Sequence, residues 1–159
     1  MVLVDTSVWS LALRRKQKDL SVAERVLTEG LRELIREGRA QLVGPVRQEL
    51  LSGVREESGF RRLRDYLRAF DNAQLAVEDY EEAARMSNAC RSGGVAGSPV
   101  DFLICAVAHL RNWQIFHYRP RLRSLPEDPP AQPLQWRRCH LVLLSFSILY
   151  TPSNAAFTR

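Results

Sequence analysis

Short apolar runs alternate with longer helical patterns along the first 116 residues. Val2, Leu3 and Val4 lead into Asp5, which predicts a short buried strand that ends at a carboxylate. Two further strands are predicted over 41–43 and 113–116. Apolar positions three and four apart predict helices over 20–38, 45–53, 60–70, 77–91 and 102–111. This order predicts parallel strands joined by right-handed crossovers, and therefore a three-layer α/β/α domain with a central parallel sheet.

Local signals place the ends of several helices. Ser21 and Glu24 have the spacing of a capping box at the start of a helix. Pro45 is suited to the first turn of the next helix, and Gly53 is suited to its end.

The character of the chain changes after Phe116. Six of the eight prolines lie in 117–159, which also holds six arginines and two acids, whereas 1–116 holds 17 basic and 16 acidic residues. The net charge of +5 therefore belongs mostly to the C-terminal part, and the body is nearly balanced. We predict a folded domain over 1–116 and a poorly structured, Pro/Arg-rich tail over 117–159.

The sequence carries a few signals that bear on the cellular compartment and on membrane association. No secretory leader is recognisable, and the longest apolar stretch, 141–150, is too short to span a bilayer. The three cysteines lack metal-site spacing and are expected to be small buried residues in a reducing environment. We expect a cytoplasmic protein without a membrane anchor.

Three carboxylates fall at element ends that a parallel sheet would bring together. Asp5 ends the first strand, Glu49 lies one turn into the helix after the second strand, and Asp101 opens the helix before the third. Ligands of open α/β sheets bind outside the carboxyl ends of the strands. Converging carboxylates repel one another and need a cation, and oxygen ligands favour Mg²⁺ or Mn²⁺.

Each acid also has a purely structural interpretation. Asp101 follows Ser98 by three residues and could complete a capping box. Glu49 could form a surface ion pair with Arg47 or Arg55. Asp5 is harder to explain in this way, because a carboxylate directly after a buried strand is costly unless it is used.

The segments around these acids resemble the three motifs of the PIN-domain family, specifically its VapC-type toxins. Residues 2–9 (VLVDTSVW) resemble the first motif, residues 48–53 (QELLSG) the second, and residues 98–108 (SPVDFLICAVA) the third. Each motif alone has little specificity, but the three in order with fitting spacing are fairly specific. The resemblance covers 1–116.

The resemblance implies a metal-dependent endoribonuclease of a type II toxin–antitoxin module, active with Mg²⁺ or Mn²⁺. Asp5, Glu49 and Asp101 would be the catalytic, metal-binding acids, and Thr6 or Ser7 would support them through hydroxyl hydrogen bonds. Thr6 could equally cap the following turn. The resemblance also implies an RNA substrate, a homodimer and a VapB-type antitoxin. Segments 11–31 and the helix from Phe60 are candidates for the antitoxin groove, unless their apolar faces belong to the core.

The sequence departs from the family after the third strand. The family usually continues with Thr-Thr-Asp-x-Asp-Phe, which supplies a fourth acid, whereas this chain reads His-Tyr-Arg-Pro-Arg-Leu over 117–122. More than one codon can encode each of these six residues. Some of these codon combinations, when they are read one nucleotide later, would encode Thr-Thr-Asp-Arg-Asp-Phe. The proline excess and the charge change agree with a hypothesis that the gene carries a frameshift near residue 116. Such a change would leave a weakened enzyme, with one carboxylate fewer to hold the ion.

Three functions therefore compete on the sequence alone. The first is an active ribonuclease, and the second is a weakened or inactive PIN domain that binds an antitoxin or RNA. The third is a non-catalytic, basic RNA-binding protein that uses Arg61, Arg62, Arg64 and Arg68. That arginine row is more typical of a solvated helix face, and no known RNA-binding signature accompanies it.

Overall fold

A computed structural model describes residues 1–118 of the chain. The predicted tail therefore lies outside the described residues, apart from His117 and Tyr118. The three strands are β1 (Val2–Val4), β2 (Ala40–Gln41) and β3 (Gln114–Phe116). The helices are α1 (Thr6–Arg14), α2 (Val22–Arg36), α3 (Gly44–Ser52), α4 (Glu57–Leu67), α5 (Val77–Ser92) and α6 (Pro99–Arg111), and a short 3₁₀ turn covers Gln17–Asp19.

The strands form one parallel sheet in the order β2-β1-β3, with β1 in the centre. Val2 pairs with Ala40 on one side and with Gln114 on the other. The chain crosses from β1 to β2 in one direction and then back past β1 to β3. Right-handed crossovers in opposite directions put helices on both faces of the sheet, which gives the three-layer α/β/α architecture predicted from the sequence.

The helices contact one another in two sets. Helix α1 packs against α2 and α3, and α3 packs against α4, whereas α5 packs against α6. The core between these layers and the sheet includes all three residues of β1, Trp9 of α1 and Leu50 of α3, all buried. Helix α6 contributes a continuous buried run over 102–108, which explains its nearly uninterrupted apolar sequence.

Several helix ends follow the predicted chemistry, and others differ from it. The capping box of Ser21 and Glu24 is present, and Pro45 lies in the first turn of α3. Helix α4 begins at Glu57 and not at Phe60, because Glu56 is the N-cap residue and residues 57–59, which carry no apolar side chain to mark a helix in the sequence, already have helical conformation. Strand β2 is shorter than predicted and lies one residue earlier, since Leu42 leaves it to form an isolated bridge with Asn72.

The predicted burial of the cysteines is confirmed for Cys90 and Cys105. Cys139 lies outside the described residues. Within residues 1–118, no helix is long and apolar enough to cross a membrane.

Candidate active site

Asp5 lies at the carboxyl end of the central strand, where the chain turns from β1 into α1. Its backbone N–H donates to the carbonyl of Phe116 at 2.9 Å, which ties it to the end of β3. Its side chain is the N-cap of α1 and accepts from the backbone N–H of Ser7 at 2.8 Å. The connection that follows β1 runs to β2 on one side, whereas the connection that follows β2 returns past β1 to β3 on the other side. Asp5 therefore stands at the topological switch point, where open α/β sheets form their binding crevice.

Both hydroxyls that follow Asp5 contact a carboxylate. The Ser7 hydroxyl donates a hydrogen bond to Oδ1 of Asp5. The Thr6 hydroxyl donates to Oε2 of Glu49 at 2.6 Å. The first turn of α1 therefore joins Asp5 at the end of β1 to Glu49 on α3.

Glu49 does not form the surface ion pair with Arg47 or Arg55 that would have given it a purely structural role. Arg47 donates instead to Oδ1 of Asn72 and to the carbonyls of Leu67 and Phe70, where it caps the end of α4. Within the described part of the chain, the hydrogen bonds of Glu49 reach Thr6 alone.

Asp101 lies at the start of α6 and is committed to the cap of that helix. Its Oδ2 accepts from the backbone N–H of Ser98 at 2.9 Å, and its own N–H donates to the Ser98 hydroxyl at 3.1 Å. A helix that leads into a parallel strand runs opposite to it, so the N-terminus of α6 faces the same sheet edge as Asp5. No hydrogen bond within residues 1–118 joins Asp101 to Asp5 or Glu49.

Tyr118 contributes contacts to this site that the sequence did not indicate. Its backbone N–H donates to the Ser7 hydroxyl oxygen at 2.9 Å, so Ser7 lies between Tyr118 and Asp5. Its phenol donates to Oε1 of Glu24 at 3.3 Å, and Arg15 forms an ion pair with the same oxygen. The segment after β3 is thereby tied to both α1 and α2.

The environment of this network shifts two pKa values in opposite directions. The backbone N–H and the hydroxyl of Ser21, followed by the charge of Arg15, lower the pKa of Glu24. Burial, followed by the nearby Glu24 carboxylate, raises the pKa of Tyr118. Both groups therefore keep their ordinary charge states near neutral pH, the carboxylate ionised and the phenol neutral.

The donor chemistry suits a hard divalent cation, but the arrangement is incomplete. Hydrogen bonds within residues 1–118 engage Oδ1 of Asp5 and Oε2 of Glu49, and none reaches the second oxygen of either carboxylate. Such oxygens are the ligands that Mg²⁺ and Mn²⁺ prefer. However, no three acidic, histidine or cysteine side chains among residues 1–118 are grouped closely enough to hold an ion together.

Fold and site together define a small α/β domain with hydroxyl-supported carboxylates at the carboxyl edge of a parallel sheet. A family model for the PIN domain matches residues 2–127, most of the chain, and the chain therefore belongs to the PIN domain family. PIN domains are generally nucleases, that is, hydrolases. No curated protein matches the chain.

Solved structures that share the fold include two from toxin–antitoxin complexes. FitAcB from Neisseria gonorrhoeae is 19% identical with a TM-score of 0.59, and VapBC2 from Rickettsia felis, bound to a DNA fragment from their promoter, is 14% identical with a TM-score of 0.55. Each alignment covers 74% of this chain and 86% of the other. At these identities the similarity concerns the fold.

Proposed function

We propose that the chain is a metal-dependent endoribonuclease toxin of a toxin–antitoxin module. The observation that carries this proposal is the hydrogen bond from Thr6 to Glu49, which joins the Asp5 turn to α3 at the switch point of a PIN fold. Similarity to the fold of FitAcB and VapBC2 supports the toxin assignment and a VapB-type antitoxin as partner. A homodimer and a cytoplasmic location belong to the same proposal.

Asp5, Glu49 and Asp101 are the proposed metal ligands and catalytic residues. A bound Mg²⁺ or Mn²⁺ would supply water activation and charge stabilisation at the scissile phosphate. In this proposal the Ser7 N–H and hydroxyl orient Asp5, and Thr6 orients Glu49, so that each carboxylate keeps one oxygen available. Positioning of this kind is the main contribution a protein makes to phosphodiester cleavage.

RNA cleavage by the full chain tests the proposal. Cleavage of a labelled RNA should require Mn²⁺ or Mg²⁺, stop with EDTA and fall at least about a hundredfold in Asp5→Asn, since a catalytic metal ligand is lost. Glu29→Gln is the matched control, because Glu29 is an exposed acid of α2 that pairs with Arg32. Equal cleavage by the native protein, Asp5→Asn and Glu29→Gln would contradict the proposal and would indicate a contaminating nuclease.

A weakened or inactive PIN domain is the alternative, and two observations favour it. The Asp101 carboxylate is engaged by its own helix cap, and positions 117 and 118 after β3 carry His and Tyr, where the family motif leads to an acid. Under this alternative, the native chain would co-purify with an antitoxin encoded beside it while its cleavage stayed at the level of Asp5→Asn.

A further inference from the structure

A groove of about 720 Å³ lies beside the end of α3, between α1 and α4. The apolar residues Leu13, Val54 and Leu63 line it. Arg14, Arg55, Arg62 and Glu56 supply the charges that line it, so basic groups exceed acidic ones by three to one. Gly53, the C-cap residue of α3, also lines the groove and follows Glu49 by four residues, about 6 Å along the helix axis.

The arginines of the groove differ from their neighbours on α4 in their pairing. Arg61 pairs with Glu57, and both Arg64 and Arg68 pair with Asp65. These groups are neutralised locally and form the solvated helix face that their spacing suggested. Within residues 1–118, neither Arg55 nor Arg62 takes part in an ion pair or a side-chain hydrogen bond. Unneutralised positive charge on this part of the surface is therefore concentrated in the groove.

An aromatic residue, Tyr66, also lines the groove. Tyr66 is 47% exposed, and its ring lies 5.7 Å from that of Phe70, which in turn contacts buried Trp9 edge-on. One part of the Tyr66 ring is thus fixed by packing while another remains open to solvent. A fixed, exposed ring beside unpaired guanidinium groups is the combination that binds single-stranded nucleic acid, through stacking and phosphate contacts.

We infer that this groove holds the single-stranded RNA segment that leads away from the carboxylate site. Arg55 and Arg62 would contact phosphates, and Tyr66 would stack with a base. Arg14 has a different role, because it donates to the Leu50 carbonyl at 3.0 Å and fixes the wall of the groove next to Glu49. The inference rests on the proposed function for its choice of RNA, but not on any cleavage by the chain.

Binding of a labelled, unstructured RNA of about ten nucleotides to the full chain in EDTA tests the inference, since cleavage is then suppressed. Arg62→Gln should weaken binding about fivefold to tenfold. The slope of log K against the logarithm of the salt concentration should become smaller in magnitude by about 0.7, because one phosphate contact on a single strand is lost. Tyr66→Leu should weaken binding at least about fivefold through lost stacking. Arg61→Gln is the matched control, one residue away and already paired, and should bind as the native chain does.

Two results would overturn the inference. Equal weakening by Arg61→Gln and Arg62→Gln would show general attraction to a basic surface and not a groove. Unchanged RNA binding in Arg62→Gln and Tyr66→Leu, together with loss of a co-purifying antitoxin, would make the groove a protein-binding surface. Because all these measurements exclude divalent ions, an absence of catalysis would contradict the proposed function and leave the groove assignment intact.

Discussion

The Thr6 hydroxyl donates a 2.6 Å hydrogen bond to the Glu49 carboxylate, across 43 positions of sequence. This bond connects the first residue of α1 to α3, the helix that follows the edge strand β2. Since Thr6 is bonded directly to Asp5, the same turn fixes the relative position of two of the three predicted acids. The bond therefore offers a direct way to test whether their geometry matters.

Thr6→Val should reduce RNA cleavage about tenfold to a hundredfold while leaving the fold intact. Valine has nearly the shape of threonine but cannot donate, and a hydrogen bond to a charged group contributes about 1.5–3 kcal/mol. Thr6→Ser keeps the donor and should retain most of the activity. Cleavage rates at saturating Mn²⁺, compared with thermal unfolding, measure the effect. An active Thr6→Val would show that Glu49 needs no orienting partner.

Gly53 and Arg14 should be energetically coupled. A Cβ at Gly53 would lie 1.9 Å from the Arg14 guanidinium, so Gly53→Ala displaces that group from the Leu50 carbonyl. We expect a coupling of about 1 kcal/mol, the contribution of one hydrogen bond at the end of α3. Gly53→Ala alone should destabilise the protein, whereas in an Arg14→Ala background it should be neutral or stabilise by about 0.5 kcal/mol. Urea unfolding of the native protein, the two single variants and the double variant gives the double-mutant cycle. Additive changes in unfolding free energy would contradict the coupling.

The Glu24 network should contribute to acid sensitivity. Its hydrogen bonds from Ser21 and the charge of Arg15 lower the pKa of Glu24 in the folded chain. A lowered folded pKa gives stability that is present above the unfolded pKa, about 4.5, and that is lost as pH falls through the folded value. The slope of unfolding free energy against pH should therefore be smaller in Glu24→Gln below about pH 4.5. The exposed control Glu29→Gln should keep the native slope, and identical slopes for all three proteins would exclude a role for Glu24.

Replacing Arg119 should reveal whether a fourth acid is missing. Tyr118 contacts Ser7, so position 119 is the next residue along the chain from the carboxylate site, and in the family motif it carries aspartate. Arg119→Asp should increase Mg²⁺-dependent cleavage, because one more carboxylate raises the affinity for the ion. Arg123→Asp makes the same charge change outside the motif and should have no such effect. Reading the gene tests the frameshift hypothesis separately: a shifted frame without aspartate codons or with an early stop would refute it.

The parts of the fold that depend on local chemistry could be predicted from the sequence. Asp5 after a buried apolar run, the Ser21 cap and the Pro45 helix start each follow from residues within a few positions. Strand β2 was less predictable, since a strand of two residues carries almost no periodicity. Tyr118 could not be assigned a structural role, because its partners Ser7 and Glu24 are 111 and 94 positions away.

The unpaired arginines of the groove also could not be predicted from the sequence. The sequence shows Arg61, Arg62, Arg64 and Arg68 as one basic row, and spacing alone does not separate them. Ion pairs within α4 separate Arg62 from the other three, and the fold then adds Arg55 from the loop before it. Charge neutralisation depends on rotamers and neighbours, which a linear pattern does not encode.

Mn²⁺ binding to the full chain tests most directly whether the carboxylates at the sheet edge form a metal site. Titration calorimetry should give a site that weakens at least about tenfold in Asp5→Asn and in Glu49→Gln, and less in Asp101→Asn, whose carboxylate is already engaged by Ser98. Glu29→Gln should bind as the native chain does. Native-like affinity in both Asp5→Asn and Glu49→Gln would contradict the account, because the ion would then be held elsewhere.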